Sequence, residues 1–395
     1  MTSRKRLGVG VIGFGWMGQA HSRSMAAVAR HFDDREYDVD LVACADNVAE
    51  RRVQAIASFG FSAATDDWRA LVDDPAIDVV VCTAPNMLHL PVIEAAAAAG
   101  KHILCEKPVG GTPAQTARAE LVARKAGLIT GVGYNYRWAP LVQYARRLIG
   151  EGTLGDITNY RGRFFSMYGA DPMGLLTWRF LVDEGGYGVT TDILSHSVDL
   201  AHFLLGSTVS RLTATVHTYI TERPLPSAGG THYDRGKPGD PTGTVTNEDY
   251  VAMLCTFANG VQGVFESSRA IIGPESQNAF EVYGTKGSVA WNLETMNELR
   301  VYIARDDELH TGYTTVYGGD RFPHHGNFVP GSANSIGFED LVVIEDHEFL
   351  QSVALGRPHS PGFEQALAFV SVQDAVLRSA ASGAWHDVRS LRIEG

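Results

Sequence analysis

A chain of 395 residues exceeds what one hydrophobic core usually serves, so two domains are expected. Hydrophobic residues at 45% and charged residues at 20%, with no low-complexity tract, describe an ordinary globular protein. The net charge of -12 argues against nucleic acid as a partner, because a binder would have to overcome its own repulsion of phosphates.

The chain opens Arg4-Lys5-Arg6, but the apolar run after it is too short and glycine-rich for a signal peptide, and no cleavage site follows. No apolar stretch reaches the roughly 18–20 residues of a membrane span. Cys44, Cys82, Cys105 and Cys255 lie in β-like apolar runs without C-x-x-C spacing. They are expected to be buried reduced thiols, which suits a cytoplasmic protein.

Over residues 1–135, strands are predicted at Leu7–Ile12, Val39–Ala45, Val79–Ala84, His102–Cys105 and Ile129–Tyr134. Helices are predicted between them at Gln19–Arg30, Val48–Phe59, Asp66–Val72, Leu90–Ala99 and Pro113–Ala126. Strands apolar throughout and separated by helices mean an α/β, doubly wound Rossmann domain with a parallel sheet covered on both faces. Residues 136–395 have a different texture, an α+β domain with a large, mostly antiparallel sheet. Helix Ala139–Ile149 leads to strand Ile157–Phe165, and helix Asp192–Leu205 follows a glycine-punctuated loop. From Arg211 to Arg305 the pattern is mostly β, with hairpin signals at Asn259-Gly260 and at residues 284–287. Residues 222–247 and 317–337 are expected to be loops, and helices Glu339–Leu355 and Gly362–Ser382 close the chain.

Gly13-Phe14-Gly15-Trp16-Met17-Gly18 follows an apolar strand and opens a helix. The glycines allow a tight turn, close approach of backbone to a pyrophosphate, and close helix–strand packing; the helix N-terminus supplies free N–H groups. Asp46 ends the second strand, where a carboxylate accepts ribose hydroxyls and repels a 2′-phosphate. The same residue could cap the next helix, and Arg51 and Arg52 nearby could admit some NADP, but NAD is the favoured cofactor.

Cys105-Glu106-Lys107-Pro108 closes a strand, and with the glycine turn, Ala84-Pro85-Asn86 and an Asp-x-x-x-His helix this chain resembles the glucose–fructose oxidoreductase/inositol dehydrogenase (Gfo/Idh/MocA) family. Gly133-Tyr134-Asn135-Tyr136-Arg137, Trp178-Arg179 and the late AVLRSAASGAWHDV continue the resemblance along the whole chain. The details are most similar to the branch holding levoglucosan, scyllo-inositol and L-glucose dehydrogenases. The resemblance implies cofactor contacts from residues 13–18, Asp46, Ala84, Pro85, Asn86, His89, Glu106, Lys107, Arg137, Trp178 and Arg179. It makes Lys107 the central lysine, at the C-terminal end of a strand where such sheets hold their ligands.

Asp192 and His196, at i and i+4, are expected to stack on one helix face, with Asp199 extending it. His196 is the expected general base, and Asp192 is expected to bind a substrate hydroxyl and orient His196 and Lys107. The bland reading is a capping aspartate and a buried, satisfied histidine. Lys107, Tyr136, Arg163, Asp192, His196 and His325 are the expected substrate contacts. Arg163, Arg179, Arg321 and the pair His324-His325 suggest an anionic or heavily hydroxylated sugar. Gly185-Gly186-Tyr187-Gly188-Val189-Thr190-Thr191 departs from the glycine run frequent in the family, and its added side chains are expected to reshape the pocket floor. The paired histidines lack a third ligand at recognisable spacing, so no metal is expected.

The expected function is NAD-dependent oxidation of a secondary ring hydroxyl, C3-type, on a pyranose sugar, sugar derivative or inositol. The alternative is an oxidoreductive glycoside hydrolase using the same hydride step transiently. A non-catalytic sugar and NAD sensor is disfavoured, since sensing does not require Lys107, Asp192 and His196 together. A homo-oligomer, dimer or tetramer, is expected by analogy with similar proteins.

Overall fold

The structure, a computed structural model, describes residues 4–226, 234–305 and 308–394. The first sheet collects β1 (Lys5–Ile12), β2 (Tyr37–Ala45), β3 (Ala63–Thr65), β4 (Val79–Cys82), β5 (His102–Cys105) and β6 (Thr130–Val132). Its order is β3-β2-β1-β4-β5-β6, and every pair in it is parallel. The order reverses between β1 and β4, which opens a crevice at the C-terminal strand ends. The helices α1 (Trp16–His31), α2 (Ala49–Phe59), α3 (Trp68–Val72), α4 (Asn86–Ala98) and α5 (Pro113–Lys125) connect the strands. β3 was missed by sequence reasoning because three residues are too short to show a period.

Next come α6 (Pro140–Gly150), β7 (Ile157–Ser166) and three short-to-medium helices, α7 (Val182–Gly185), α8 (Gly188–Asp192) and α9 (Leu194–Leu205). The second sheet adds to β7 the strands β8 (Val209–His217), β11 (Tyr250–Phe257), β12 (Gln262–Ser268), β13 (Ser276–Gly284), β14 (Gly287–Asn292), β15 (Glu298–Ile303), β16 (Thr314–Tyr317) and β17 (His386–Asp387). It is nine-stranded and antiparallel except where β12 runs parallel to β7. Both hairpin signals fall at strand reversals; Gly260 takes φ +89°, the left-handed conformation that Asn-Gly supplies. Within residues 222–247, expected to be a loop, β9 (Glu222–Pro224) and β10 (Thr242–Thr244) pair as a small antiparallel ribbon. Residues 227–233 of that stretch lie outside the described residues.

Two closing helices, α10 (Phe338–Leu355) and α11 (Phe363–Ser382), return to the first sheet: α10 packs on α1, and α11 lies across α5 and β8. One hydrophobic cluster therefore runs from Val9 and Phe14 through Tyr160 and Phe265 to Phe349 and Val376. This shared core seats the second sheet and α9 against the crevice of the first.

Candidate active site

The glycine turn is set by close approach. Gly13 sits at φ +90°, and a Cβ there would lie 2.7 Å from the Thr83 carbonyl oxygen; one on Gly18 would lie 2.0 Å from the Gly13 carbonyl oxygen. Gly15, the residue before α1, has open space around it and no side-chain cap, so the first N–H groups of α1 are left for a phosphate. The Phe14 ring is buried edge-on against Phe59 and Phe61, while the turn presents Trp16 and Met17 at the start of α1. Asp46 accepts the Phe14 N–H at 2.6 Å and the Val48 N–H at 2.8 Å. It therefore holds the turn as well as the start of α2; Oδ2 also faces the Arg51 guanidinium at 3.4 Å, and Oδ1 keeps a lone pair for a ribose hydroxyl.

Asn86 donates to the Gly185 carbonyl at 2.9 Å, tying the loop after β4 to the glycine run before α8. His89 is buried, with its ring nitrogens 2.7 Å from the Ala84 and Pro108 carbonyl oxygens, so it pins together the loops after β4 and β5. Cys82, His89 and Cys105 bring their ligand atoms within 4.8 Å of one another, but both His89 nitrogens face those carbonyls. The Lys107–Pro108 bond is cis.

Lys107 Nζ donates to Asp192 Oδ1 at 2.7 Å and to the Asp192 carbonyl at 2.8 Å. The other carboxylate oxygen accepts the Tyr168 hydroxyl at 2.7 Å and faces Arg179 at 3.7 Å. Burial would raise the Asp192 carboxyl, but the Lys107 and Arg179 cations outweigh it and hold the group well below the usual carboxylate range. His196 lies 6% exposed among Tyr134, Tyr136 and Phe164, with the Tyr136 ring 4.7 Å away. Burial, and then the Lys107 cation, push its pKa well below 6.5 against the pull of Asp192. At neutral pH the imidazole is neutral, able to accept a proton.

The expected single helix face is corrected. α8 ends at Asp192, and α9 starts after Ile193. The Asp192 carbonyl is claimed by Lys107 and by the Ser195 hydroxyl at 2.9 Å, so a contact with a strand end 85 residues upstream interrupts the helix. Asp192 and His196 still converge on Lys107, but Asp192 binds Lys107 and Tyr168 and not the imidazole. The added Thr190 and Thr191 turn their buried hydroxyls to Glu248 at 2.6 Å and Gln373 at 2.7 Å.

Other named residues have other partners. Arg137 forms a buried bidentate pair with Asp199. Arg163 bonds Gln277 and Glu281 across the second sheet. Arg321 bonds the Tyr317 carbonyl and the Ser332 hydroxyl, His324 faces Glu348 at 3.6 Å, and buried His325 meets the Asn334 carbonyl at 2.7 Å. Of the five residues that suggested an anionic sugar, Arg179 reaches the Lys107–Asp192 pair; its guanidinium also lies 4.6 Å from the Trp178 ring.

Sequence reasoning missed four supporting residues. Tyr168 carries no spacing signal. Arg269 and Asn247 both donate to the Arg179 carbonyl, at 3.1 and 3.0 Å, and Arg269 is itself paired with buried Asp249. His21, on α1, lies 2.8 Å from Asp346 of α10 and 3.3 Å from Glu106, whose other oxygen accepts the Lys107 N–H. Its position on the dinucleotide helix was visible; its two acidic partners come from distant segments.

Strand order, glycine turn and a lysine–aspartate pair beside a neutral imidazole together define a nicotinamide-dependent oxidoreductase. Residues 7–134 match the oxidoreductase family with the NAD-binding Rossmann fold, and residues 142–290 match the GFO/IDH/MocA C-terminal domain. The chain belongs to this Gfo/Idh/MocA family, and its cofactor is NAD. It is 37% identical over 385 residues to levoglucosan dehydrogenase of Pseudarthrobacter phenanthrenivorans, covering 97% of this chain and 98% of that one. Inositol 2-dehydrogenase of Rhizobium meliloti is 28% identical over 94% of this chain and 96% of its own length. The solved structure of levoglucosan dehydrogenase in complex with NADH superposes with a TM-score of 0.92 at 36% identity, over 98% of this chain and 100% of that one. Among the described residues no helix is long and apolar enough to cross a membrane.

Proposed function

We propose that this enzyme oxidises a secondary ring hydroxyl, of the C3 type, on a neutral pyranose sugar, sugar derivative or inositol. The observation that carries this reading is the convergence of Lys107, Asp192 and His196 at the ends of the parallel strands. Bound NAD supplies the hydride acceptor, and residues 13–18, Asp46, Ala84, Pro85, Asn86 and Glu106 are placed to hold it. Lys107, kept in place by Asp192, donates a hydrogen bond to the reacting oxygen. His196 takes the hydroxyl proton while the carbinol carbon gives up its hydride, leaving a ketone. Tyr136 and Arg179 border the same space and bind the ring.

We assign cofactor binding to residues 1–135 and substrate binding to residues 136–395, in a cytoplasmic homo-oligomer. Leu254 and Val264, paired in register on β11 and β12, are 51% and 42% exposed on the open face of the second sheet, an apolar surface suited to a second copy. The function is tested by incubating the protein with pyranoses, inositols and glycosides, following both NADH and free aglycone. NADH formed in step with ketone, with glycosidic bonds intact, is the expected result. Many turnovers of aglycone release without net NADH would overturn it in favour of redox glycoside cleavage.

A further inference from the structure

A cavity of about 530 Å³ lies between Trp16 and Tyr136, assigned above to NAD and to the oxidised ring, and a polar wall that no step above uses; Lys107, Asp192 and His196 are not among its lining. Tyr136 joins the two spaces: it lines the cavity, and its ring lies 4.7 Å from His196. One wall is aromatic. The Trp16 indole, 63% exposed despite its size, stacks on Phe338 with centroids 5.4 Å apart and planes 20° from parallel. The other wall is polar and already rigid. Glu294 Oε1 accepts the N–H groups of Glu275 and Ser276, at 2.8 and 3.1 Å. The Asn297 amide exchanges two hydrogen bonds with the Ile336 backbone, at 2.9 and 3.1 Å. That pairing fastens the late loop, with Ser335, over the start of β15. A preformed space with flat apolar platforms facing fixed polar groups matches a ring that has apolar faces and hydroxyl edges. Its charged lining is Glu294 and Glu298, two carboxylates and no cation, which disfavours an anionic occupant.

We propose that this cavity is a second carbohydrate subsite, and that the substrate is a neutral disaccharide whose oxidised ring lies at Lys107 and His196 while its second ring rests on Trp16 and Phe338. This rests on the dehydrogenase reading above. The substituent reaches the cavity past Tyr136, and binding there adds affinity without touching the reacting carbon.

The test compares glucose with cellobiose and maltose, and galactose with lactose, under saturating NAD. Parallel titration calorimetry uses the NADH-loaded protein. At least one disaccharide is expected to exceed its monosaccharide about tenfold in kcat/KM or in affinity. Ser335→Trp, which fills the cavity from an exposed loop position, and Phe338→Ala should each bring that ratio to within about twofold of unity, leaving the monosaccharide value unchanged. A disaccharide that binds tightly while none of the sugars is oxidised supports the subsite while counting against the dehydrogenase reading. Disaccharides no better than monosaccharides in rate and affinity, or variants that weaken both alike, overturn the proposal.

Discussion

Asp192 shows how one side chain serves several neighbours: Lys107, Tyr168 and Arg179 all meet its carboxylate, and Lys107 and Ser195 share its carbonyl. Lys107 is thereby aimed at the crevice, and His196 is kept neutral by burial. Lys107→Ala and His196→Ala should each lower kcat by about 10²–10⁴-fold, the scale of lost acid–base assistance. Equilibrium titration with NAD should change little, because neither residue cradles the pyrophosphate. With His196 held well below 6.5, kcat/KM should stay level from pH 8 to about 6.5 and fall only at more acid pH. A limb centred above pH 7 would assign that proton elsewhere. Asp46 has a structural duty beside its proposed cofactor duty. Asp46→Ser should relax the preference for NAD over NADP, and should also raise KM for NAD about tenfold as the Phe14 N–H loses a charged acceptor. Equal affinities for the two cofactors in the unaltered protein would refute the assignment.

At the scale of elements, α8 is positioned by glycines. A Cβ on Gly188 would lie 1.9 Å from the Glu248 carbonyl oxygen, and Gly186 sits at φ +79° with its Cβ position 2.5 Å from the Gly111 carbonyl oxygen. Both obstacles are backbone, so neither can swing aside. Gly188→Ala should therefore push α8 off the loop before β11 and carry Asp192 away from Lys107. Chemical denaturation should show a loss of about 1–3 kcal/mol, and kcat should fall while KM for NAD stays near its original value. Unchanged kcat would mean that Asp192 tolerates displacement. The glycine turn and the two hairpins were legible in sequence because glycines set between apolar runs show as a pattern within a few positions, even where the backbone that a Cβ would meet, such as Thr83 for Gly13, lies far along the chain. The break at Ile193 was not legible, since its cause is an ammonium group delivered by β5. Nor were the roles of Arg137 and Arg163, whose partners lie far along the chain, or of His325, whose Asn334 partner nine residues on is an irregular loop carbonyl with no pattern to announce it.

Across the whole molecule, α10 and α11 weld the two sheets together, and the protein carries several histidines largely shielded from water: His347 on α10, His359 between α10 and α11, and His202 on α9. Burial first, and nearby cations next, lower His359 to about 4; burial likewise lowers His347 to about 4 and His202 to about 3. These groups bind fewer protons folded than unfolded, so their contribution is present above pH 6.5 and is lost as pH falls towards 4. His21 runs the other way: Asp346 and Glu106 raise it despite burial, and its contribution is lost only as pH rises through that elevated value. The melting temperature should drop steadily between pH 6.5 and 4, with a shallower slope in His347→Gln. Identical slopes in both proteins would count against it. The proposed assembly is tested separately: if the unaltered protein is oligomeric by light scattering, Leu254→Glu, on the open sheet face, should convert it to monomer. A monomeric unaltered protein would remove the proposed interface.

By itself the sequence determined the alternating α/β domain, the dinucleotide turn, the large second sheet and the family, because periodicity, glycine placement and short motifs act over a few residues. Lys107, and Asp192 with His196, were recognisable as candidates from two separate short motifs, which the family resemblance joined. Only the tertiary structure decided who bonds to whom: that Asp192 serves Lys107, that His21 joins α10 to Glu106, and that Asn297 pins the late loop beside Trp16. Those bonds join segments tens to hundreds of residues apart, and their partners become neighbours only after the two sheets close on one core.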